Sequence, residues 1–536
     1  MNNSRHRFIL SLLTAFTALT VADPACGATR IPPRLVVNIL IDQLRSDYME
    51  AFTPLYGEDG FKRLLQYGKV YKNASYDMAN VDRASAAATI VTGTVPFNHG
   101  IIASRWLDRQ TLRPVYCVDD ASTKGQGTQE TASPKNLNSS TLSDELKVST
   151  DGQAYVYAIS PNRDLAVITG GHAADGVFWI DNQTGAWCTS DYYSSLPDWV
   201  NKRDLYQPIE NIIKNNEWTP LNDDVTHFSY FLSAKSGRSF KRKFNGDYRF
   251  MLFKKSGLVN DEVAGMVDDC LNHTSLGEDD ITDYLAVTLY AGNYDNLPVS
   301  EAPVELQDTY ARLDRALAHI IKSIERKAGS DGVLFVVTST GYTDEEPNEL
   351  KKYRIPTGTF DMKRSAALLN IYLQAIYGRG NYVDATWGEQ IYLNRKLLED
   401  KQLDYVEIAN RSEAFLQQLS GIEDVYTSTR VLQGAHSPGL QTIRNSFNKR
   451  RSGDILLSVS PGWHLVNIDT HEDHLARAAH LPFPIIFLGT GIQAEKVETP
   501  VNTQCIAPTL ARTMRIRAPN ACDEVPLSIM QPDAQN

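Results

Sequence analysis

Asp42 is the first residue of this sequence whose type and position could do chemistry, because it ends the apolar stretch LVVNILID at Leu35–Asp42. A run of apolar residues followed by one acid is typical of a strand that is buried on both faces of a parallel sheet. Ligands of open α/β sheets bind just beyond the carboxyl ends of the strands. Asp42 is therefore a candidate site residue, and the alternative is an Asp that caps the following helix.

The histidine-rich segment HEDHLARAAH provides the second set of candidates, His471, His474 and His480. Histidines three residues apart share one face of a helix, and imidazole is a common zinc ligand. These three residues are therefore candidate metal ligands. The alternative is a solvated loop or helix, because such spacings are loose and occur without any metal.

Apolar segments of strand length alternate with helical patterns along the chain, and these segments must position the candidates. The predicted strands are Leu35–Ile41, Tyr155–Ile159, Leu285–Tyr290, Val333–Thr338 and Pro484–Leu488. This alternation predicts a three-layer α/β/α sandwich with a mostly parallel central sheet. Residues 181–272 and 361–444 interrupt the pattern, and we expect them to be insertions that form a cap over the active edge of the sheet.

The amino-terminal residues predict a signal peptide at 1–28, because two arginines precede an apolar run from Phe8 to Ala22 and small residues follow. That run is shorter than the ~20 residues needed to span a membrane. We therefore expect a periplasmic or secreted protein with no transmembrane segment after the signal. The net charge of −11 argues against nucleic acid as a partner. An oxidising compartment permits disulfides, and we expect a Cys505–Cys522 bridge.

LVVNILIDQLRSDYM, followed by TGTVPFNHGIIASRW at Thr92–Trp106, resembles the start of alkaline phosphatase superfamily proteins, especially the periplasmic phosphate-irrepressible alkaline phosphatases. GGHAADGVFWI, LAVTLY, VLFVVTST and PIIFLG extend the resemblance over nearly the whole chain. The resemblance implies two zinc ions held by Asp and His, a Thr or Ser nucleophile, and an Asn, a Lys and an Arg around the phosphoryl oxygens. Such metals and cations stabilise the charge of the transition state.

Most positions that match the family's functional residues are substituted in this chain. Asp42 matches a zinc-binding Asp, but Arg83 stands at the position of the nucleophile and a guanidinium cannot attack phosphorus. Ser85 is an alternative nucleophile, although its hydroxyl is also suited to support the start of a helix. The positions that hold phosphoryl oxygens in the family are occupied by Ser104, Asn162 and Asp164, with Arg163 available after a one-residue slip.

The other metal-ligand positions hold residues that are poor zinc ligands or none. They are Asn293, Leu297, Thr340 and Gly341, and the last His falls on Pro482 or, with a two-residue insertion, on His480. Without its metal, Asp42 would be a buried carboxylate that needs a partner. We predict that Arg83 supplies the missing positive charge by forming an ion pair with Asp42.

Two classes of function follow from these substitutions. The first is a catalytically degenerate family member that binds an envelope protein or an anionic small molecule, without a cofactor, as a component of the cell envelope. The second is an active phosphomonoesterase, phosphodiesterase or sulfatase that uses zinc in an altered site. The sequence favours the degenerate protein, because only Asp42 matches the family site outright.

Overall fold

The structure is a computed structural model that describes residues 31–215, 217–228, 230–231, 239–343, 358–434, 437–468, 472–476 and 481–530. The predicted signal peptide lies outside these residues. Within them, no helix is both long enough and apolar enough to cross a lipid bilayer.

The strands range from two to eight residues, and the longest are central and buried. They are β1 (Leu35–Asp42), β2 (Lys69–Ser75), β3 (Arg105–Leu107), β4 (Pro114–Tyr116), β5 (Gly125–Gln126), β6 (Val156–Ile159), β7 (Gly176–Ile180), β8 (Trp187–Ser190), β9 (Asp283–Tyr290), β10 (Val333–Ser339), β11 (Thr359–Asp361), β12 (Val383–Trp387), β13 (Gln390–Leu393), β14 (Ile422–Thr427), β15 (Ile455–Val459), β16 (His464–Asn467), β17 (Glu472–Leu475), β18 (Phe483–Gly489), β19 (Glu495–Val497) and β20 (Val501–Asn502).

The helices lie between these strands. They are α1 (Ser46–Ala51), α2 (Phe61–Tyr67), α3 (Arg83–Thr92), α4 (Pro96–His99), α5 (Leu142–Ser149), α6 (Arg163–Gly170), α7 (Asp198–Tyr206), α8 (Ile209–Asn215), α9 (Asp223–His227), α10 (Arg249–Lys254), α11 (Leu258–His273), α12 (Pro303–Ala328), α13 (Met362–Tyr377), α14 (Arg395–Asp400), α15 (Tyr405–Leu416), α16 (Ser428–Gln433), α17 (Pro438–Ser446) and α18 (Ile506–Met514).

A large mixed sheet forms the middle layer, with the strand order β19-β2-β18-β10-β1-β9-β6-β7-β8-β5 and with β20 also paired to β2. Its centre, from β10 to β7, is parallel, and β18 and β8 add antiparallel strands on either side. All five predicted strands lie in this sheet, which confirms the predicted fold class. The prediction succeeded because strands buried on both faces leave long apolar runs in the sequence.

Alternate side chains of β1 enter two separate apolar cores, as the two-residue period of a strand requires. Val37 and Ile39 pack on one face with α11 and α12, whereas Val36 and Leu40 pack on the other with α3, α6 and α18. The molecule therefore has three layers. The carboxyl end of β1 is held between two helical layers, so the direction of Asp42 is fixed by packing on both sides.

The two expected insertions, residues 181–272 and 361–444, pack into different apolar cores. In the first segment, Val200, Phe250 and Val263 are buried in the same core as α12. The second segment belongs to a smaller region, residues 359–476, with a three-stranded sheet (β11-β16-β17), a four-stranded sheet (β12-β13-β15-β14) and an apolar core of its own. The second segment therefore belongs to a structural unit that is separate from the main sheet.

A buried carboxylate, Asp454, ties this smaller region to the rest of the molecule. Its oxygens accept hydrogen bonds from Arg109 at 3.0 Å, Arg395 at 2.6 Å, the Tyr405 hydroxyl at 2.9 Å and the Leu393 amide at 2.9 Å. Burial alone would raise the pKa of Asp454, but the two guanidinium groups hold it below the ordinary value of an aspartate. We call Asp454 and these four partners the junction cluster.

The expected disulfide between Cys505 and Cys522 is not formed, and both residues are free thiols. Cys505 is buried just before α18. The sulfur of Cys522 is instead directed at Gly93, where an added Cβ would lie 2.7 Å from Sγ. The prediction of this bridge was wrong because proximity in sequence does not fix the direction of the two Cβ–S bonds.

Candidate functional site

A large cleft of about 1750 Å³ lies beyond the carboxyl ends of the parallel strands. Its floor includes Asp42, Arg83 and Lys254 from the main sheet and the helices around it. The opposite wall comes from the smaller region and includes Trp387 and Glu389. The sequence-based placement of a site at Asp42 therefore coincides with the large cavity.

Asp42 is 2% exposed at the end of β1, and its Oδ1 accepts a hydrogen bond from the Thr340 hydroxyl at 3.0 Å. The same hydroxyl oxygen accepts a hydrogen bond from the Gln43 amide at 3.0 Å. Thr340 follows β10, the parallel neighbour of β1, so the ends of two adjacent strands are linked directly. At a family metal position, the chain thus presents a hydroxyl that is committed to hydrogen bonding within the protein.

The predicted ion pair between Arg83 and Asp42 is wrong, because the structure pairs Arg83 with Asp164. The Arg83 Nε lies 2.8 Å from the Asp164 Oδ2, and Nη2 donates to the Tyr116 hydroxyl at 3.1 Å. Arg83 begins α3, which packs against α6, and Asp164 lies in the first turn of α6. The guanidinium therefore meets the carboxylate of the neighbouring helix before it reaches the end of β1.

Asp164 is fully buried, which by itself would raise its pKa, but the adjacent Arg83 guanidinium holds the pKa below the ordinary aspartate value. Asp164 also accepts hydrogen bonds from the Tyr116 hydroxyl and its own helix, at the Leu165 amide. The Arg83 side chain itself is 28% exposed toward the cleft. The pair is thus a charged structural unit with one partner open to a ligand.

Asp82 organises the start of α3 and explains the two serines that were candidate site residues. Its carboxylate caps the helix at the Ser85 amide, and the Ser85 hydroxyl in turn accepts from the Asp82 backbone amide, which completes a capping box. The second carboxylate oxygen accepts from the amide and hydroxyl of Ser104, at 2.5 and 2.6 Å. Ser85 is fully buried, so the structure supports its helix-start role over the alternative role as nucleophile.

The two residues before Asp164 do not rebuild the family's cationic phosphate clamp. Asn162 is the residue before α6 and lines the cleft without capping the helix. Arg163 pairs with Asp119 at 3.0 Å, donates to the Thr131 carbonyl at 2.7 Å, and stacks 4.6 Å from the centre of the Tyr116 ring. A one-residue shift of the alignment would put Arg163 at a phosphate-binding position, but its guanidinium is already bound by other groups of the protein.

The second group of metal positions also fails to offer zinc ligands. The Asn293 amide nitrogen donates to the Leu297 carbonyl at 2.8 Å, and its oxygen accepts from the Tyr294 amide at 2.9 Å. Gly341 has a positive φ of 69°, and an added Cβ would lie 2.6 Å from ring atoms of both Tyr76 and Phe483. These positions therefore do not fit the zinc ions that the family implies. The Asn293 amide is hydrogen-bonded within the protein, and the side chains of Leu297 and Gly341 offer no ligand atom.

The histidine hypothesis is only partly covered by the structure. His471 and His480 lie outside the described residues, and Pro482 is a backbone acceptor for the Ser46 amide at 3.2 Å. His474 lies in β17, which pairs antiparallel with β16, so the expected helical face is wrong at this position. Among the described residues, no group of three or more His, Cys, Asp or Glu side chains is arranged to hold a metal ion.

Lys254 is a site residue that the sequence did not suggest. It ends α10 within the first predicted insertion, is only 8% exposed, and lines the cleft. Its Nζ donates to the Ile180 carbonyl at the end of β7, at 3.1 Å. No sequence pattern marks it, because its burial depends on α10 packing below the carboxyl ends of the strands.

The three-layer fold and the cleft at the ends of its parallel strands are those of alkaline phosphatase superfamily hydrolases. The chain belongs to the type I phosphodiesterase / nucleotide pyrophosphatase family, whose model matches residues 36–480. The resemblance inferred from the sequence is therefore confirmed at the level of the superfamily.

Individual relatives agree with this assignment over most of their length. Alkaline phosphatase PafA of Elizabethkingia meningoseptica is 28% identical over 522 residues, which cover 92% of this chain and 94% of that protein. Alkaline phosphatase PhoV of Synechococcus elongatus is 28% identical over 510 residues, covering 91% of each. The structure of wild-type alkaline phosphatase PafA matches with a TM-score of 0.81 and 27% identity, covering 94% of this chain and 100% of that one.

Proposed function

We propose that this protein is a catalytically inactive member of its hydrolase family that binds an anionic small molecule in the cleft, as an exported component of the cell envelope. The observation that carries the proposal is the Arg83–Asp164 pair. It puts a permanent cation where the family has its nucleophile, and it leaves that cation partly open to the cleft.

The loss of catalysis follows from several substitutions acting together. Removing a single donor that stabilises transition-state charge costs about a hundredfold or more in rate. This chain replaces the nucleophile with Arg83, and it has Ser104 bound to Asp82 where the family has a phosphate-holding Asn. At the metal positions, Thr340 and Gly341 cannot substitute for Asp and His. Together these changes remove the groups on which zinc-dependent phosphoryl transfer depends.

Anion binding follows from the hydrogen-bond capacity that Arg83 retains. Its Nε and Nη2 are used by Asp164 and Tyr116, whereas Nη1 has no hydrogen-bond partner among the described residues. A guanidinium binds carboxylate or phosphate oxygens strongly because the hydrogen bond is charge-assisted. Lys254 and Lys255 line the same floor of the cleft. Asp42 and Glu130 also line the cleft, and Glu389 and Asp424 lie on the opposite wall, so the cations are confined to a small part of the lining, which suits a small anion.

Zinc content and aryl-phosphate turnover test the proposed inactivity. The purified protein, as isolated and after incubation with zinc, is expected to hold no stoichiometric zinc by mass spectrometry and to hydrolyse p-nitrophenyl phosphate no faster than buffer does. Alkaline phosphatase PafA, assayed in parallel, is the positive control. Stoichiometric zinc together with turnover above background would establish the alternative, an active phosphatase with an altered metal site.

Calorimetric titration with phenylphosphonate tests the proposed binding. Replacing Arg83 with Gln is expected to weaken binding about tenfold or more, because a charge-assisted hydrogen bond is lost. The matched control is Arg105→Gln, since Arg105 lines the same cleft but lies over the Tyr116 ring, 5.2 Å from its centre. Equal weakening by both variants, or no heat of binding in the parent protein, would contradict the proposal.

A further inference from the structure

Lys254 differs from an ordinary surface lysine in its contacts. Its side chain is buried in the lining of the cleft, and Nζ makes one hydrogen bond, to the Ile180 carbonyl. Among the described residues, no carboxylate lies within ion-pair distance of this nitrogen. Since a carbonyl also accepts from a neutral amine, this contact fixes the position of Nζ without requiring that it stay protonated.

The groups around Lys254 shift its pKa in both directions. Burial is the main influence, and with the Arg83 guanidinium it lowers the pKa of Lys254 to about 8, against the opposing effects of Glu130, Cys188 and Asp164. At neutral pH this gives roughly 200-fold more free amine than an ordinary lysine has. Desolvation next to another cation is a known way to make a lysine nucleophilic.

Lys255 is a natural internal comparison because it is the next residue and lines the same cleft. Its side chain is 34% exposed, and its Nζ lies 3.5 Å from an oxygen of Asp295. A carboxylate partner and contact with water both favour the protonated ammonium. Two adjacent lysines therefore face one cavity with different chemical characters.

We propose that Lys254 is a covalent attachment site for a small aldehyde or ketone that carries a phosphate or carboxylate group, with Arg83 holding the anionic end. This inference rests on the proposed anion-binding function and names the class of ligand. Arg83 and Lys254 line one cleft. A carbonyl compound with an acidic group presents complementary chemistry to both residues.

The reaction is an imine formation that needs no further reagent. The lone pair of the neutral Nζ attacks the carbonyl carbon and the carbon–oxygen π electrons move to oxygen, which takes up a proton and gives a carbinolamine. The nitrogen then loses its protons as the hydroxyl leaves as water, and a carbon–nitrogen double bond remains. One amine and one carbonyl thus give one imine and one water, and hydrolysis in the open cleft reverses the step.

Pyridoxal 5′-phosphate is a suitable probe because it combines an aldehyde with a phosphate. The full-length protein is incubated with the probe at stoichiometric concentration, reduced with borohydride and mapped by peptide mass spectrometry. We expect one adduct, on Lys254, forming at a rate that rises with pH to a plateau with its midpoint near pH 8. Phenylphosphonate is expected to slow the reaction by occupying Arg83.

Lys254→Met is expected to abolish the adduct, and Lys255→Met is the matched control that leaves it unchanged. Lys254→Arg keeps the positive charge without the nucleophile, so loss of the adduct in this folded variant separates chemistry from packing. Labelling that persists in Lys254→Met, or that is spread evenly over exposed lysines, would overturn the inference.

The two proposals fail in different ways. If phenylphosphonate binds but no adduct forms on Lys254, the covalent inference is wrong and anion binding stands. If phenylphosphonate does not bind, the proposed function is wrong, and the anionic half of this inference is wrong with it. Benzaldehyde, which has no acidic group, then tests the lysine alone, and the absence of a reduced adduct would overturn the remaining half as well.

Discussion

Two fully buried aspartates, Asp454 in the junction cluster and Asp164 in the cleft floor, are both held in the charged form by arginine, but their surroundings differ. Asp454 has two guanidinium partners, and Arg109 spends its remaining donors on the Ser452 carbonyl. Asp164 has one guanidinium partner, Arg83, which keeps donor capacity facing the cleft. Asp454 is thus shared by two cations, of which Arg395 has a 53% exposed side chain, whereas Asp164 depends on a single cation that lines the cleft.

The two sites therefore differ in how the carboxylate is neutralised. In the junction cluster, Arg109, Arg395, the Tyr405 hydroxyl and the Leu393 amide all donate to the two oxygens of Asp454. On the cleft floor, Arg83 keeps a donor that is not used by Asp164 or Tyr116, and among the described residues no carboxylate lies within ion-pair distance of the buried Lys254. An anion bound next to Lys254 would offset the charge of its ammonium form, which burial disfavours.

Breaking the junction cluster is expected to have the largest effect on stability. Asp454→Ala leaves the largely buried Arg109 without its counter-charge and removes the acceptor of Arg395, Tyr405 and Leu393, so the free energy of unfolding should fall by about 3 kcal/mol. The folded pKa of Asp454 is depressed, so its contribution is fully present above the unfolded value of ~3.9 and is lost as pH falls through the folded value. Urea unfolding at pH 7 and at decreasing pH measures both. A loss below about 1 kcal/mol would contradict a stabilising role of the junction cluster.

Removing the cation of the cleft floor is expected to cost no more than this. Arg83→Met leaves Asp164 buried without its guanidinium, and we expect a loss of about 3 kcal/mol. Adding Asp164→Leu should recover most of the lost stability, because the double variant no longer has an unpaired buried carboxylate. A double-mutant cycle by urea unfolding gives the coupling energy, and simple additivity of the two changes would argue against the pair. Phosphatase activity is not expected in any of these variants.

Lys254→Met is expected to stabilise the protein at pH 7, by about 2 kcal/mol, because a buried ammonium is removed. Between pH 8 and about 10 the unfolded parent chain keeps the proton that folded Lys254 has released, so parent stability rises with pH in this window. The variant should lack that rise. Denaturation at pH 7.5 and pH 9.5 tests it, with Lys255→Met as the control that keeps the parent's pH dependence.

The smallest expected effect concerns the helix caps. Asp82→Ala removes the cap of α3 and should cost about 1–2 kcal/mol, and it should also weaken phenylphosphonate binding because α3 begins with Arg83. Asp361→Ala removes the comparable cap of α13 in the smaller region, where Asp361 accepts from the Arg364 amide at 3.0 Å. A similar loss of stability without a change in binding is expected there. If both variants bind equally well, Asp82 does not position Arg83.

The sequence predicted the fold well because the central strands are buried along their whole length and are therefore mostly apolar, as β1 and β10 are. It predicted the helix-start role of Ser85 because a capping box involves only neighbouring residues. It missed the partner of Arg83, although Asp164 had been placed at the same site with the opposite charge. It missed Lys254 entirely, since the burial of a single lysine is a property of tertiary packing that no local pattern reports.

Gly341 has a consequence for how this protein could change in future. Its backbone is left-handed, and the space for a side chain is filled by the rings of Tyr76 and Phe483. A single back-mutation of Gly341 to His would meet two buried aromatic rings before it could reach a metal. The rings of Tyr76 and Phe483 would have to be replaced or moved as well. A histidine at this position therefore requires coordinated changes on several elements of the fold rather than a single substitution.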